Sequence, residues 1–289
     1  MGTTTGCVIA RDEGALLEDC IGSMSGAVDE VVVVDHGSRD DTKAVAERAG
    51  ARVVAAAVPH HELARNAYLE AARTSWVLVL DADERLASAA RVAVPRLVRE
   101  APDAVLGFGL ERFDYLGGGR WASARLVRLF RVHPRIRYFE SLAHASVVPA
   151  IEALGGEIAL ADAPIHHLDA LLGGRAHARK RAGMRRRLES EIARGGLPVM
   201  RCFLSLELFA LREDEAAERE LRAALAENRR CEPIARLFLA QQRRARGRFD
   251  EAAREAARVL GGDRAFRGRA SAWTVLADAH ERRGARREA

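Results

Sequence analysis

Five consecutive apolar residues, Trp76-Val-Leu-Val-Leu80, run straight into Asp81-Ala-Asp-Glu84, and few folds accommodate both halves of that stretch. A run so short, rich in branched side chains and free of polar ones reads as a strand covered on both faces. A carboxylate cannot follow it into the sheet unpaired, because desolvating an isolated charge there is prohibitive. Asp81 and Asp83 are therefore expected where the strand leaves the sheet, the edge at which α/β folds bind ligands. If the backbone stays extended, side chains two apart share a side and Ala82 faces the other. Two converging carboxylates repel, and a hard divalent cation shared with a phosphate, Mg²⁺ or Mn²⁺, relieves the repulsion. Asp is also a good helix N-cap. The tripeptide alone leaves both readings open.

The residues before it repeat the theme. Gly6 to Ala10 reads as a first strand and about Ala15 to Ser25 as a helix; Val28 to Asp35 and Ala51 to Val58 are further strands, and Glu62 to Arg73 a further helix. This alternation predicts an α/β class fold with a mainly parallel, three-layer sheet. After the first strand comes Arg11-Asp-Glu13, not a glycine-rich turn, which argues against a dinucleotide site and a P-loop. Acidic Asp12 and Glu13 suit either a phosphate site neutralised by metal or a favourable helix N-terminus. Asp35 also ends a strand, with Ser38 and Asp40 placed to cap the next helix.

Four stretches, Val8-Ile-Ala-Arg-Asp-Glu13, Val28 to Thr42, Ala64-Arg-Asn66 and Val79-Leu-Asp-Ala-Asp-Glu84, together resemble the family 2 glycosyltransferases in order and context. The likeness covers residues 5 to about 170. It implies the A-type nucleotide-diphospho-sugar transferase fold, a Rossmann-like architecture. It further implies donor contacts from Arg11, Glu13, Asp35, Ser38, Arg65 and Asp81: Asp35 on the base, Arg65 on the base or diphosphate, Asp81 by the ribose and metal. Asp83 would hold the cation directly, and a late histidine, His166 or its neighbour His167, would complete the shell. We take His166, with Asp81 and Asp83, as the expected metal set. Two departures stand out: Asp12 where Asn is expected, and His36 where a small hydroxyl or Asn is usual.

Downstream, Ser88 to Glu100 reads as an amphipathic helix and Ala104 to Leu110 as a strand. The glycine-rich loop Glu111 to Arg120 suits a lid or acceptor wall. Arg125 to Arg131 alternates as a half-buried strand, and the resemblance places Trp121, Arg128 and His144 on the acceptor side. Attack by a hydroxyl benefits from a carboxylate base, for which Glu140 is the nearest candidate, with a structural salt bridge as the alternative. The family pattern carries Glu after His144, where this chain has Ala145.

Beyond Gly173-Gly174 the chain changes character. Arg175 to Ala193 reads as a long basic helix, a solvated connector whose secondary reading is contact with an acidic acceptor or anionic head groups. Asp214-Glu-Ala-Ala217, Asp250-Glu-Ala-Ala253 and Arg287-Glu-Ala289 then recur behind the apolar helices Val199 to Leu211, Ile234 to Arg246 and Ala270 to Arg283. The pattern resembles degenerate tetratricopeptide repeats. The expected domains are a transferase domain over 1–172, a connector over 173–198 and helical repeats over 199–289.

The net charge of +5 is carried almost wholly by arginine, since Lys43 and Lys180 are the only lysines. Aromatics are not interleaved with basic patches in the first half, so no nucleic-acid partner is expected. No apolar run nears the ~18 residues of a membrane span, and no secretory signal is read at Met1-Gly-Thr. The four cysteines lack metal or disulfide spacing, so a cytoplasmic chain with at most peripheral membrane contact is expected. The sequence thus predicts a Mn²⁺- or Mg²⁺-dependent glycosyltransferase acting on an unknown acceptor, which the family resemblance alone implies to be inverting, with a possible protein partner on the repeats. Two alternatives remain: a transferase-like scaffold that has lost turnover and acts as an adaptor, and a nucleotidyltransferase, which would want a basic glycine-rich loop where Arg11-Asp-Glu-Gly14 stands.

Overall fold

The computed structural model describes residues 2–56, 61–117, 120–138, 146–172, 174–227, 231–264, 266 and 268–288. The chain divides into two compact units, Met1–Phe113 with Arg125–Leu168, and Asp114–Ala124 with Asp169–Ala289. The basic helix expected as a connector, α7 (Gly174–Ala193), belongs to the second unit, as does the segment 114–124.

The first unit opens with parallel strands β1 (Thr4–Ala10), β2 (Glu30–Asp35), β3 (Arg52–Ala55) and β4 (Trp76–Asp81). Further strands β5 (Glu84–Leu86), β6 (Val105–Gly117), β7 (Arg120–Arg131) and β8 (Glu157–His167) complete one eight-stranded mixed sheet in the order β3-β2-β1-β4-β7-β6-β8-β5. β7 runs antiparallel to β4, and β8 antiparallel to β5. Helices α1 (Gly14–Ser23), α2 (Thr42–Arg48) and α4 (Ser88–Glu100) cover one face; α3 (His61–Ala71) and α5 (Val148–Ala153) cover the other.

Alternation along β4 shows why these residues make a central strand. Trp76, Leu78 and Leu80 pack with Leu17, Ile21 and Val94 on one side. Val77 and Val79 pack with Tyr68, Leu69 and Ile151 on the other. Each such side chain contributes about 1.5–3 kcal/mol on burial, so a register slip of one residue in β4 is strongly disfavoured from both faces. The register pairs Ala10 with Asp35 and Ile9 with Asp81. Both strand-end carboxylates therefore reach the same rim of the sheet.

The second unit begins with α6 (Asp169–Leu172) and α7. It continues through α8 (Val199–Ala210), α9 (Asp214–Glu227), α10 (Glu232–Ala245), α11 (Phe249–Gly261) and α12 (Arg269–Glu288). Successive helices from α8 onward pack side by side, as tetratricopeptide-like repeats do. Alanines at the contacts, Ala224, Ala235, Ala252, Ala256 and Ala272, let their backbones approach around Leu221, Phe238 and Val275. The Asp-Glu-Ala-Ala motifs open α9 and α11, where acidic first turns favour the helix dipole. The third motif departs from expectation: α12 runs unbroken to Glu288, so Arg287-Glu288 ends a helix and does not start one. Among the described residues no helix is long and apolar enough to cross a membrane. All four cysteines are free and buried.

Candidate active site

Two loops meet beside Asp35 at the rim. Asp35 Oδ1 accepts the Ser38 amide at 3.1 Å, and Ser38 Oγ accepts the Asp12 amide at 3.0 Å. Asp12 returns the link by accepting the Arg39 amide at 2.7 Å. It does so at φ 54°, a left-handed conformation that Asn and Asp tolerate better than other side chains. Asp can therefore replace the Asn that the family pattern leads one to expect. Asp40 accepts the Thr42 hydroxyl and the amides of Thr42 and Gly14, the amides at 3.0 and 3.2 Å. The Glu13 amide donates to Thr42 Oγ1 at 2.9 Å. Gly14 has a steric reason as well: a Cβ there would lie 2.5 Å from Asp41 Oδ1 and 3.1 Å from the Thr42 amide nitrogen. Arg11 is exposed at this rim, and His36 Nδ1 lies 3.2 Å from the Ala56 carbonyl.

At the end of β4 the backbone does not stay extended. Ala82 and Asp83 form a turn before β5, and this turn separates the two carboxylates expected to converge. Asp81 goes to arginines: Oδ1 accepts Arg65 Nη2 at 2.6 Å and Oδ2 accepts Arg128 Nη2 at 2.8 Å. Burial pushes the Asp81 carboxyl up, but these two guanidinium groups outweigh it and hold it well below the usual carboxylate range. Arg128, expected on the acceptor side, is instead a buried bridge that also donates to Glu84 Oε1 at 2.7 Å. Arg65 lies 5.9 Å from the Tyr138 ring centroid. Its neighbour Asn66 exchanges two 2.9 Å hydrogen bonds with the backbone of Tyr138.

Asp83 takes the other direction. It is 2% exposed, its carbonyl accepts the Leu168 amide at 3.0 Å, and its Oδ1 lies 3.6 Å from His167 Nε2. A buried carboxylate with an imidazole beside it is a donor pair that fits a divalent cation and suits Mn²⁺ better than Mg²⁺. His167, not His166, occupies this place, because adjacent residues on β8 face opposite ways; the His166 ring instead lies 6.4 Å from that of Phe113. Of the expected set, Asp83 thus lies beside His167, Asp81 takes Arg65 and Arg128, and His166 lies by Phe113.

Glu140 and His144 lie outside the described residues. Trp121 belongs to the second unit, where the Arg244 guanidinium stacks 3.4 Å from its ring centroid and donates to its carbonyl at 2.9 Å. Sequence reasoning missed Glu84 and Arg112. Glu84 is fully buried and accepts Arg128, Arg112 at 3.3 Å and the Asp81 amide at 3.0 Å. The available signal was a third carboxylate directly after the Asp-Ala-Asp tripeptide.

Residues 6–151 match the family described as Glycosyl transferase family 2. A TPR repeat-containing protein of Synechococcus elongatus is 41% identical over 133 residues, covering 46% of this chain and 32% of that protein. The lipopolysaccharide core biosynthesis glycosyltransferase LpsC of Rhizobium meliloti is 34% identical over 116 residues, 38% of this chain and 42% of that protein. Glucosyl-3-phosphoglycerate synthase from Mycobacterium tuberculosis aligns over 41% of this chain and 45% of its own at 29% identity, with a TM-score of 0.32. The chain thus spans less than half the length of these curated relatives. With half of its length matched by the family, the chain belongs to glycosyl transferase family 2.

Proposed function

We propose that the protein is a metal-dependent, inverting glycosyltransferase that moves a sugar from a nucleotide-diphospho-sugar to an acceptor hydroxyl. The observation that carries this reading is the Asp83–His167 pair, 3.6 Å apart, at the end of a strand whose neighbours bring Asp35 and Asp81 to the same rim. Asp83 and His167 would hold Mn²⁺ or Mg²⁺, which when bound neutralises the charge of the leaving diphosphate. Asp35 accepts a hydrogen bond from the base of the nucleotide. Arg65 orients the donor while compensated by Asp81, and Ser38 and the 11–13 loop form the wall beside it. Glu140 takes the proton of the attacking hydroxyl, which raises its nucleophilicity as the anomeric bond breaks. Inversion follows from a single in-line displacement and is inferred from the family. The four buried thiols agree with a reducing, cytoplasmic setting.

The test is titration calorimetry of a nucleotide-sugar panel with and without Mn²⁺, on the wild type and on Asp83→Ala. Mn²⁺-dependent binding of one donor that is lost in Asp83→Ala, with folding intact, supports the reading. Unchanged titration in the variant removes the metal. A panel silent throughout favours the adaptor alternative, for which Ala145 in place of the usual Glu is the motivating observation.

A further inference from the structure

We infer that Glu84, which no part of the proposed chemistry uses, is a positioning residue that sets the cation affinity of the adjoining Asp83; this rests on the metal-dependent reading above. Glu84 is completely buried, where a carboxylate persists only if its charge and lone pairs are met. It meets them in two ways that both bear on Asp83. First, Glu84 Oε2 accepts the amide of Asp81 at 3.0 Å, so the side chain closes the turn that carries Asp83 at its tip. The backbone of Glu84 pairs with that of His167 across β5 and β8, so one residue braces both groups of the candidate metal pair. Second, Glu84 Oε1 accepts Arg128 at 2.7 Å and Arg112 at 3.3 Å.

The charge balance gives the sign. Behind Asp83, Arg112 and Arg128 pair with Glu84, and Arg65 and Arg128 pair with Asp81. Neutralising Glu84 removes a negative charge next to Asp83 within a low-dielectric interior, where screening is weak. A cation at Asp83 is repelled accordingly. Removing a guanidinium has the opposite effect.

Two variants test this, read as Mn²⁺ dissociation constants for the metal alone, by electron paramagnetic resonance, beside a thermal unfolding curve. Glu84→Gln keeps an acceptor for the Asp81 amide and loses the charge. It should weaken Mn²⁺ binding by roughly tenfold or more, the usual scale for a group supporting a metal ligand. Arg112→Met, at a side chain only partly buried, should tighten Mn²⁺ binding. A merely structural role for Glu84 gives no such opposite sign. Mn²⁺ affinity within twofold of wild type in Glu84→Gln overturns the inference. If Glu84→Gln does not fold, Arg112→Met decides, and failure to tighten overturns it. Asp83→Ala separates the two levels: if it binds Mn²⁺ like the wild type, the metal reading itself falls, whereas loss of Mn²⁺ there with no effect of Glu84→Gln or Arg112→Met rejects only the role of Glu84.

Discussion

Arg65 and Asp81 meet at 2.6 Å between α3 and the end of β4, although the sequence separates them by a helix end and a loop. The pair turns the first aspartate of the Asp-Ala-Asp motif away from a cation and toward a guanidinium that the family resemblance assigns to the donor. Its side chains are 12% and 26% exposed, so the interaction is only partly screened by solvent. Asp81 thereby compensates the Arg65 guanidinium.

Asp81→Asn should accordingly destabilise the first unit by about 3 kcal/mol, the scale for removing one partner of a largely buried ion pair. Arg65 and Arg128 would be left facing a neutral amide. Urea unfolding should show a lower midpoint at an unchanged slope. A loss below about 1 kcal/mol would mean that solvent screens the cluster as it screens surface pairs.

The two histidines of β8 should separate cleanly. His167→Ala is expected to weaken Mn²⁺ binding at least tenfold, because its Nε2 lies 3.6 Å from Asp83. His166→Ala, whose ring lies by Phe113, should leave the Mn²⁺ dissociation constant where it was. Calorimetric titration of both variants checks the pair, and the reverse ranking would restore His166 as the ligand.

The fate of these histidines shows what a chain read alone can deliver. The parallel half of the sheet was legible because Val31 to Val34 and Trp76 to Leu80 are apolar on both faces, and only a central strand uses both. Asp35 and Asp81 were legible as strand ends for the same reason. The split between Asp81 and Asp83 was not, since it depends on a two-residue turn stabilised from outside by Glu84 and Leu168. Nor was the destination of Arg128, because alternation in Arg125 to Arg131 says which side chains are half-buried and not which charges await them. Trp121 illustrates the same limit: its partner Arg244 is more than a hundred residues away, and no local pattern encodes that meeting.

Asn66 offers a test of the segment that leads to Glu140. Its side-chain amide both donates to the Tyr138 carbonyl and accepts the Tyr138 amide, each at 2.9 Å, as a neighbouring strand would. Asn66→Ala leaves two part-buried backbone groups without these bonds, at a cost of about 1–3 kcal/mol. Transferase activity should fall further than stability, because residues 139–145 follow directly from the anchored Tyr138. Measured turnover against the urea midpoint checks this. A variant that loses stability but keeps full turnover would show that Glu140 does not depend on the anchor.

Acid sensitivity of the helical unit should trace to Glu218. Its carboxylate takes hydrogen bonds from Arg222 and Arg243, both at 2.9 Å, from Arg248 at 2.8 Å and from Arg246 at 3.2 Å. Burial pushes its pKa up, but the guanidinium groups prevail and bring it from 4.5 to about 2. With a folded value below the unfolded one, the group binds its proton more weakly when folded. Its contribution to stability is therefore complete above about 4.5, and it shrinks as the pH falls toward 2. Glu218→Gln should lower the thermal midpoint at pH 7 and flatten its decline between pH 4.5 and 2, so the two curves converge on the acid side. Curves that stay parallel through that interval would place the acid sensitivity elsewhere.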